Sequence, residues 1–356
     1  MSLYDAVAAG MWAYSRAAFR ITVLGPERLR IAPGTLLVVT HRRETDVPVL
    51  CPPLYRRGEL RRQRVAFAAR DDMFLPGFFA GFPEGVPPRV RRVLFPLRIA
   101  GWLPRVEVFP IRSARVARLA EVLVERRGAE LTDVLGREEA QAFAARAAAC
   151  GLRAPVVVED VLRGEHADLL WRAVGPEDPA GQRLDGFWSR RATEAAADFR
   201  GLVELVRGGR PLVLFPEGRP SPDGEIGPLQ RGLGALVRRA GPPALLPVAL
   251  AYDPLARGRT RVVVAFGAQT APSGDVEEQA LALLRRTMPL TAGQLVAAGA
   301  EPDEAVRAAL VEGRPVDPAL VAADSRSRRL AEAHAAAERS PDALAFLARE
   351  YGSARS

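Results

Sequence analysis

Residues 35–46 read TLLVVTHRRETD, and their pattern indicates the fold class. Residues 35–40 form a short, apolar, β-branched run that stops at charged residues, which is typical of a buried strand. Similar runs lie at 64–69, 106–110, 211–215, 244–250 and 261–266. Residues with helical spacing separate some of these runs, at 193–207 and 230–239. The alternation predicts an α/β fold, a mixed sheet flanked by helices.

The rest of the chain has a mainly helical pattern. Residues 3–20 predict an amphipathic helix with Trp12 and Phe19 on the flank of its apolar side. Such a helix fits the plane of a membrane interface or the surface of its own domain, and the sequence leaves both open. We predict an N-terminal interfacial helix region (1–30), an α/β domain (31–112 and 191–290), a helical insertion (113–190) and a helical C-terminal appendage (291–356).

The composition excludes several classes of protein. With 356 residues, 48% of them hydrophobic, the chain can bury a sizeable core, which excludes a disordered chain, a collagen-like chain and a small disulfide scaffold. Its two cysteines, Cys51 and Cys150, lack metal-ligand spacing, so we expect a reducing compartment and no metal. No apolar run reaches the roughly 18 residues of a spanning helix, and no signal-peptide pattern is present.

The net charge of +8 favours anionic partners. All 50 basic residues are arginines, so a single arginine carries little weight. Arginines cluster at 56–57, 61–64 and 89–92, around the phenylalanine-rich residues 73–83. This region can contact lipid, or it can be a charged face over ordinary core. No helix-turn-helix, zinc finger or aromatic RNA-binding motif supports nucleic acid as a partner.

His41 is the candidate base among the three histidines. His166 and His334 lie in segments with helical spacing that are rich in Ala, Glu and Arg, where a histidine is usually a surface residue. His41 ends a strand and Asp46 follows five residues later, so a tight turn into a helix can bring the two side chains together. A carboxylate on one imidazole nitrogen fixes the tautomer and leaves the other nitrogen free to take a proton. A chance His-x4-Asp spacing is the alternative.

A second motif, FPEGRPS at 215–221, follows the predicted strand at 211–215. Loops at the carboxyl ends of such strands are where α/β sheets bind ligands. Gly218 lets backbone N–H groups approach a ligand, Glu217 can accept hydrogen bonds, and Arg219 can face a phosphate. Arg112 likewise closes a strand and can pair with a phosphate. An ordinary Pro/Gly turn at a strand end is the alternative.

The order of these motifs resembles the glycerol-phosphate and 1-acylglycerol-3-phosphate acyltransferase family over about residues 1–112 and 190–270. The order is His-x4-Asp, then Arg70-Asp71, then the strand closed by Arg112, then FPEG, then LPVAL at 246–250. The resemblance implies that His41 and Asp46 are the catalytic pair. The predicted phosphate-binding residues are Arg70, Arg112, Glu217, Gly218 and Arg219.

Three positions depart from the family pattern. Thr40 stands where the family has Asn, Ile111 stands where it has Asp, and Arg219-Pro220 replaces its Thr-Arg. These departures leave the acyl-transfer chemistry intact and put the identity of the acceptor in question. The long segment at 113–190 is also unusual for the family.

The resemblance implies a function. We expect transfer of an acyl group from acyl-CoA or acyl carrier protein to the hydroxyl of 1-acylglycerol-3-phosphate, a lysophospholipid, without a cofactor. The expected location is the cytoplasmic face of a bacterial membrane, with peripheral attachment. The alternatives are a related acyltransferase with another lysolipid or alcohol acceptor, and a non-catalytic lipid-binding protein.

Overall fold

A computed structural model describes residues 2–56, 64–75, 87–95, 97, 99–163, 167–182, 184 and 186–356. The strands are β1 (Phe19–Leu24), β2 (Leu36–Val39), β3 (Ala66–Arg70), β4 (Val108–Ile111), β5 (Ala117–Arg118), β6 (Ala173–Val174), β7 (Leu212–Leu214), β8 (Leu245–Asp253) and β9 (Thr260–Phe266). Short 3-10 helices lie at Pro26–Leu29, Asp71–Phe74, Leu103–Val106 and Pro318–Leu320.

The α-helices surround these strands along the chain. They are α1 (Leu3–Ala18), α2 (Asp46–Arg56), α3 (Pro88–Leu94), α4 (Leu119–Val124), α5 (Leu131–Leu135), α6 (Arg137–Ala149), α7 (Val158–Val161), α8 (Ala167–Leu170), α9 (Phe187–Arg207), α10 (Gly232–Ala240), α11 (Val276–Thr287), α12 (Ala292–Ala298), α13 (Pro302–Val311), α14 (Ala323–Ala337) and α15 (Pro341–Ser353).

The chain forms two compact units. The first consists of residues 1–68 and 202–356, and the second of residues 69–201. The predicted limits at 112/113 and 190/191 do not coincide with the limits of these units, so the predicted domain division stays a prediction. Parts of two sequence features, residues 76–83 of the phenylalanine-rich stretch and 57 and 61–63 of the arginine clusters, lie outside the described residues, as does His166.

The first unit contains a mixed sheet in the order β1-β9-β8-β2-β7-β3, with the start of β3 at its end. β8 and β9 are antiparallel, and the other neighbouring pairs are parallel. β2 and β8 are buried along their whole length, as expected of apolar strands at the centre of a covered sheet. The predicted α/β fold with a mixed sheet is confirmed, and each predicted strand run overlaps an observed strand.

One boundary in the N-terminal prediction is wrong. The helix predicted over 3–20 ends at Ala18, and residues 19–24 form β1 instead. The run FRITVL is β-branched and aromatic, and it pairs in parallel with β9. Pairing with β9 therefore makes residues 19 and 20 part of a strand, although their spacing continues the helical pattern.

Helix α1 begins with a reciprocal cap that its sequence supplies. Asp5 donates its backbone N–H to the Ser2 hydroxyl at 3.2 Å, and Ser2 donates its own to the Asp5 carboxylate at 3.0 Å. The helix packs on α2, where the Ser15 hydroxyl donates to the Pro48 carbonyl at 2.5 Å. Leu3 and Tyr14 remain 38% and 48% exposed. Part of the apolar side of α1 is therefore exposed.

The C-terminal residues are helical, as predicted, and belong to the core of the first unit. Leu255, which follows β8, packs with Leu295 of α12, Leu320 and Leu347 of α15 in one buried cluster. A second cluster joins Leu284 of α11 to the β8 strand. Each buried leucine stabilises the unit by about 1.5–3 kcal/mol relative to an exposed one.

The second unit has a core of its own, which includes Leu119, Leu123, Phe143 and Leu170. The segment predicted as a helical insertion therefore folds around buried leucines rather than remaining a loop. Among the described residues of the chain, no helix combines the length and the apolar composition needed to cross a membrane.

Candidate active site

The turn between β2 and α2 places His41 beside Asp46. His41 lies two residues beyond the end of β2, and α2 begins at Asp46. The Nδ1 atom of His41 lies 2.8 Å from Oδ2 of Asp46. The carboxyl group is fully buried, whereas the imidazole is 14% exposed. The predicted approach of the two side chains is therefore present, and the histidine keeps access to a ligand.

The Asp46 carboxylate is fixed by donors on both oxygens. Oδ2 accepts the backbone N–H groups of Arg42 at 2.7 Å and Arg43 at 3.1 Å. Oδ1 accepts the Tyr252 hydroxyl at 2.9 Å. A carboxylate held by several donors cannot rotate away from the imidazole, so its contact with His41 is preorganised.

Tyr252 is a site residue that the sequence analysis missed. It lies on β8, and its hydroxyl is also 3.2 Å from the Thr45 hydroxyl. Burial, together with the charge of Asp46, raises the pKa of Tyr252 well above its usual range, so the hydroxyl stays protonated and donates a hydrogen bond to Asp46. The available signal was a tyrosine within the otherwise apolar run LLPVALAY at 245–252.

The FPEG turn holds the main chain of His41. Oε1 of Glu217 accepts the His41 backbone N–H at 2.8 Å, and Ser221 donates its backbone N–H to the His41 carbonyl at 2.8 Å. The ring of Phe215 lies 4.7 Å from the imidazole, centroid to centroid. Burial raises the pKa of Glu217, and Arg42 opposes that effect. Glu217 thus fixes the position of the candidate base, and its part in phosphate binding stays a prediction.

Gly218 and Arg219 form the exposed corner of the same turn. Gly218 has a φ of +76°, which favours glycine, and its N–H donates to the Phe215 carbonyl at 2.9 Å. That N–H is therefore engaged within the turn. Arg219 is exposed and has no hydrogen bond or ion pair with any described residue. Its guanidinium is free to meet an anionic ligand.

Arg70 and Arg112 belong to the second unit, where carboxylates hold both. Nε of Arg70 donates to Asp72 at 3.0 Å. Arg112 donates to Glu194 at 2.5 Å and lies within 4 Å of Asp71 and Asp198. The structure brings His41, Asp46, Glu217 and Gly218 together in the first unit. A phosphate contact of Arg70 or Arg112 stays a prediction.

A buried ion pair between Arg42 and Glu350 packs against the site. Nε of Arg42 lies 3.4 Å from Oε1 of Glu350 in α15, and both side chains are at most 1% exposed. Arg42 also donates to the Gly224 carbonyl at 3.3 Å, in the loop after FPEG, and Gln294 donates to Glu350 at 2.7 Å. The C-terminal helix therefore connects both motifs through Arg42. Nothing in the sequence near Arg42 or Glu350 indicates that these two residues form an ion pair.

Thr40, which stands where the family pattern has Asn, has a structural role. Its hydroxyl accepts the backbone N–H of Leu250 at 2.9 Å, and its own N–H donates to the Val248 carbonyl at 3.1 Å. The residue before His41 is thereby fixed to β8. Among the described residues, no group of three or more His, Cys, Asp or Glu is arranged to hold a metal ion.

The fold and site define an α/β protein with a His–Asp pair at the edge of its sheet. Residues 173–251, which include β7 and the FPEG turn and exclude His41, match the family model described as Acyltransferase. Over these residues the chain is similar to the acyltransferase family.

The solved structures to which the chain is similar include the 1-acyl-sn-glycerophosphate (LPA) acyltransferase PlsC from Thermotoga maritima. The identity is 13% and the TM-score 0.39, over 78% of this chain and 75% of that one. Among curated proteins no match was found.

Proposed function

We propose that the protein transfers an acyl group from a thioester to the hydroxyl of 1-acylglycerol-3-phosphate, forming phosphatidate for phospholipid synthesis. One observation carries the proposal: the imidazole of His41 is oriented by the buried Asp46 carboxylate at 2.8 Å while the FPEG turn holds its main chain. This arrangement suits a base that must accept one proton at a defined position.

The proposed reaction needs no covalent acyl-enzyme. His41 removes the proton of the acceptor hydroxyl through Nε2 as the oxygen attacks the thioester carbonyl. Asp46 stabilises the resulting imidazolium. The tetrahedral intermediate then breaks its C–S bond, and the leaving thiolate takes the proton from His41. General-base catalysis of this kind contributes about 10²–10⁴ in rate.

The choice of a phosphorylated acceptor rests on the free guanidinium of Arg219, which lies two residues from Glu217. Arginine suits phosphate because its planar fork can donate two hydrogen bonds. Arg70 and Arg112 are the further candidates from the second unit. The proposed donor is acyl-CoA or acyl carrier protein, both of which present a thioester to the cytoplasmic face of the membrane.

A second candidate function is acyl transfer to another lysolipid or alcohol. The surroundings of Arg112 favour it. Three acidic side chains lie within 4 Å of the Arg112 guanidinium and already form ion pairs with it. An arginine neutralised in this way recognises phosphate weakly. The two candidates share His41 and differ only in the acceptor.

The test is an acceptor panel with purified protein and labelled acyl-CoA. Detergent-dispersed 1-acylglycerol-3-phosphate, other lysophospholipids and simple alcohols are compared by free thiol release and labelled product. We expect equal amounts of thiol and phosphatidate with the first acceptor. Thiol release with another acceptor alone would support the second candidate, and none with any acceptor would contradict both.

Tyr252→Phe is expected to lower turnover without changing substrate binding. The substitution removes the hydrogen bond to Oδ1 of the buried Asp46, which frees the carboxylate to move relative to His41. A net loss of about 1.4 kcal/mol, within the range for an unsatisfied buried acceptor, corresponds to a tenfold fall in kcat with KM unchanged. Tyr55→Phe is the control, because Tyr55 donates to Asp5, away from the pair. An unchanged kcat in Tyr252→Phe would remove Tyr252 from the site.

We also propose that the protein attaches peripherally to the membrane through α1. Replacing the exposed Leu3 and Tyr14 by Ser should weaken binding to phosphatidylglycerol vesicles at least about tenfold, because burial of the exposed parts of the two side chains contributes about 1.4 kcal/mol or more in total. Vesicle flotation measures the bound fraction. Val311→Ser, at a side chain that is 83% exposed on α13, is the matched control. Equal binding of the two variants would contradict the role of α1.

A further inference from the structure

A cavity in the first unit, away from His41, is lined by arginines that have no assigned role. It lies between the end of α11, the turn after α13 and the end of α15, and its volume is about 400 Å³. None of its lining residues belongs to the His41 site. Four arginines and two glutamates give it a net positive lining: Arg285, Arg286, Arg314, Arg355, Glu278 and Glu312.

The four guanidiniums form no ion pair with any described residue. Arg314 is only 7% exposed, and its Nη2 atom is buried without a hydrogen-bond partner. Nε of Arg285 is buried and unpaired as well. A buried donor on a charged group that lacks an acceptor is costly, and both residues line the cavity, where their accessible atoms can meet an anion.

Arg314 and Arg355 are held in place by Tyr351. Their guanidinium carbons lie 5.8 Å and 5.6 Å from the centroid of its ring, and Arg355 donates to its hydroxyl at 3.2 Å. Nε of Arg314 donates to the Met288 carbonyl at 2.9 Å, and the residue lines the cavity. Burial lowers the pKa of Arg314, and the neighbouring Tyr351, Glu350 and Glu312 oppose that effect. The cationic lining is therefore preorganised.

We propose that this cavity binds a small phosphorylated molecule, with the phosphate held by Arg286, Arg314 and Arg355, at a site separate from the His41–Asp46 pair. Phosphate is the chemistry that fits, because several guanidinium forks can each donate two hydrogen bonds to its oxygens. The arginine side chains of the lining outnumber its glutamates by two, which favours an anionic group. The site does not depend on the acyl-transfer activity.

The cavity also adjoins the helix that supports the candidate active site. Tyr351 and Glu350 are neighbours on α15, and Glu350 pairs with Arg42. Binding of an anion at Arg355 would therefore order the same helix end that holds Arg42.

The test is calorimetric titration of the full chain with sodium pyrophosphate at constant ionic strength. We expect one saturable site in the wild type and affinities about tenfold weaker in Arg286→Gln and in Arg355→Gln, since each removes a charge-assisted hydrogen bond. Both arginines are exposed, so these variants retain the core. Arg307→Gln, at an exposed arginine of α13, is the control and should bind within twofold of the wild type.

Two further arms identify the source of the phosphate. Competition by coenzyme A would assign the site to the phosphates of the acyl donor, and its absence would assign it to a free phosphorylated metabolite; both support the site. Absence of saturable pyrophosphate binding would overturn the proposal, as would an equal loss of affinity in Arg307→Gln. Neither result bears on the acyl-transfer assay, so the two proposals fail separately.

Discussion

His41→Ala should lower turnover of the acyl acceptor by about 10²–10⁴ while the protein remains folded. This is the rate contribution of a general base. Without the imidazole, the acceptor hydroxyl must lose its proton to water. In free energy it is about 2.7–5.4 kcal/mol of transition-state stabilisation. The side chain is partly exposed and its only side-chain hydrogen bond among the described residues is to Asp46, so loss of the fold is not expected. Steady-state rates and circular dichroism of the purified variant are the measurements.

A matched variant separates this effect from general damage to the turn. Phe215→Leu keeps an apolar side chain beside the imidazole and removes no proton acceptor. It should lose far less activity than His41→Ala. Near-normal turnover in His41→Ala, or an equal loss in the two variants, would refute the assignment of the base.

Glu350→Gln is expected to have the largest effect on stability. It leaves the guanidinium of Arg42 buried without its counter-ion, and removal of one partner of such a pair costs about 3–5 kcal/mol. The free energy of unfolding, measured by urea denaturation, should fall by that amount. Turnover should fall as well, since the backbone N–H of Arg42 is one of the donors that fix Asp46.

Two comparisons make this prediction specific to the pair. The double variant Arg42→Met with Glu350→Leu should recover much of the lost stability, because apolar replacement of both partners is often neutral. Glu304→Gln, at an exposed glutamate of α13, should change the free energy of unfolding by less than about 0.5 kcal/mol. A double variant as unstable as Glu350→Gln would show that the ion pair is not the cause.

The parts of the site that the sequence predicted are those close together in the chain. His41 and Asp46 are five residues apart, so a strand end and one turn suffice to join them. The FPEG turn was predictable as a second element at the same sheet edge, because β2 and β7 are parallel neighbours whose carboxyl ends lie together.

The missed residues are those that only tertiary packing brings to the pair. Tyr252 reaches Asp46 from β8, 206 residues away in sequence, and an apolar strand gives no sign of which side chain faces the turn. Glu350 comes from the last helix, whose Ala-rich pattern predicts a surface appendage. In the structure that helix is part of the core, because Leu347 and Tyr351 on the same face are buried. β1 was missed because helical spacing in α1 continues into its first residues.

The central claim, that His41 is the base of acyl transfer, is tested most directly by a single-turnover experiment with His41→Gln. Enzyme in excess is mixed with labelled acyl-CoA and the acceptor, and product is quenched at short times, while binding of acyl-CoA is measured separately. We expect the chemical step to be slowed by about 10²–10⁴ and the acyl-CoA affinity to be unchanged within twofold. A chemical step as fast as that of the wild type would contradict it.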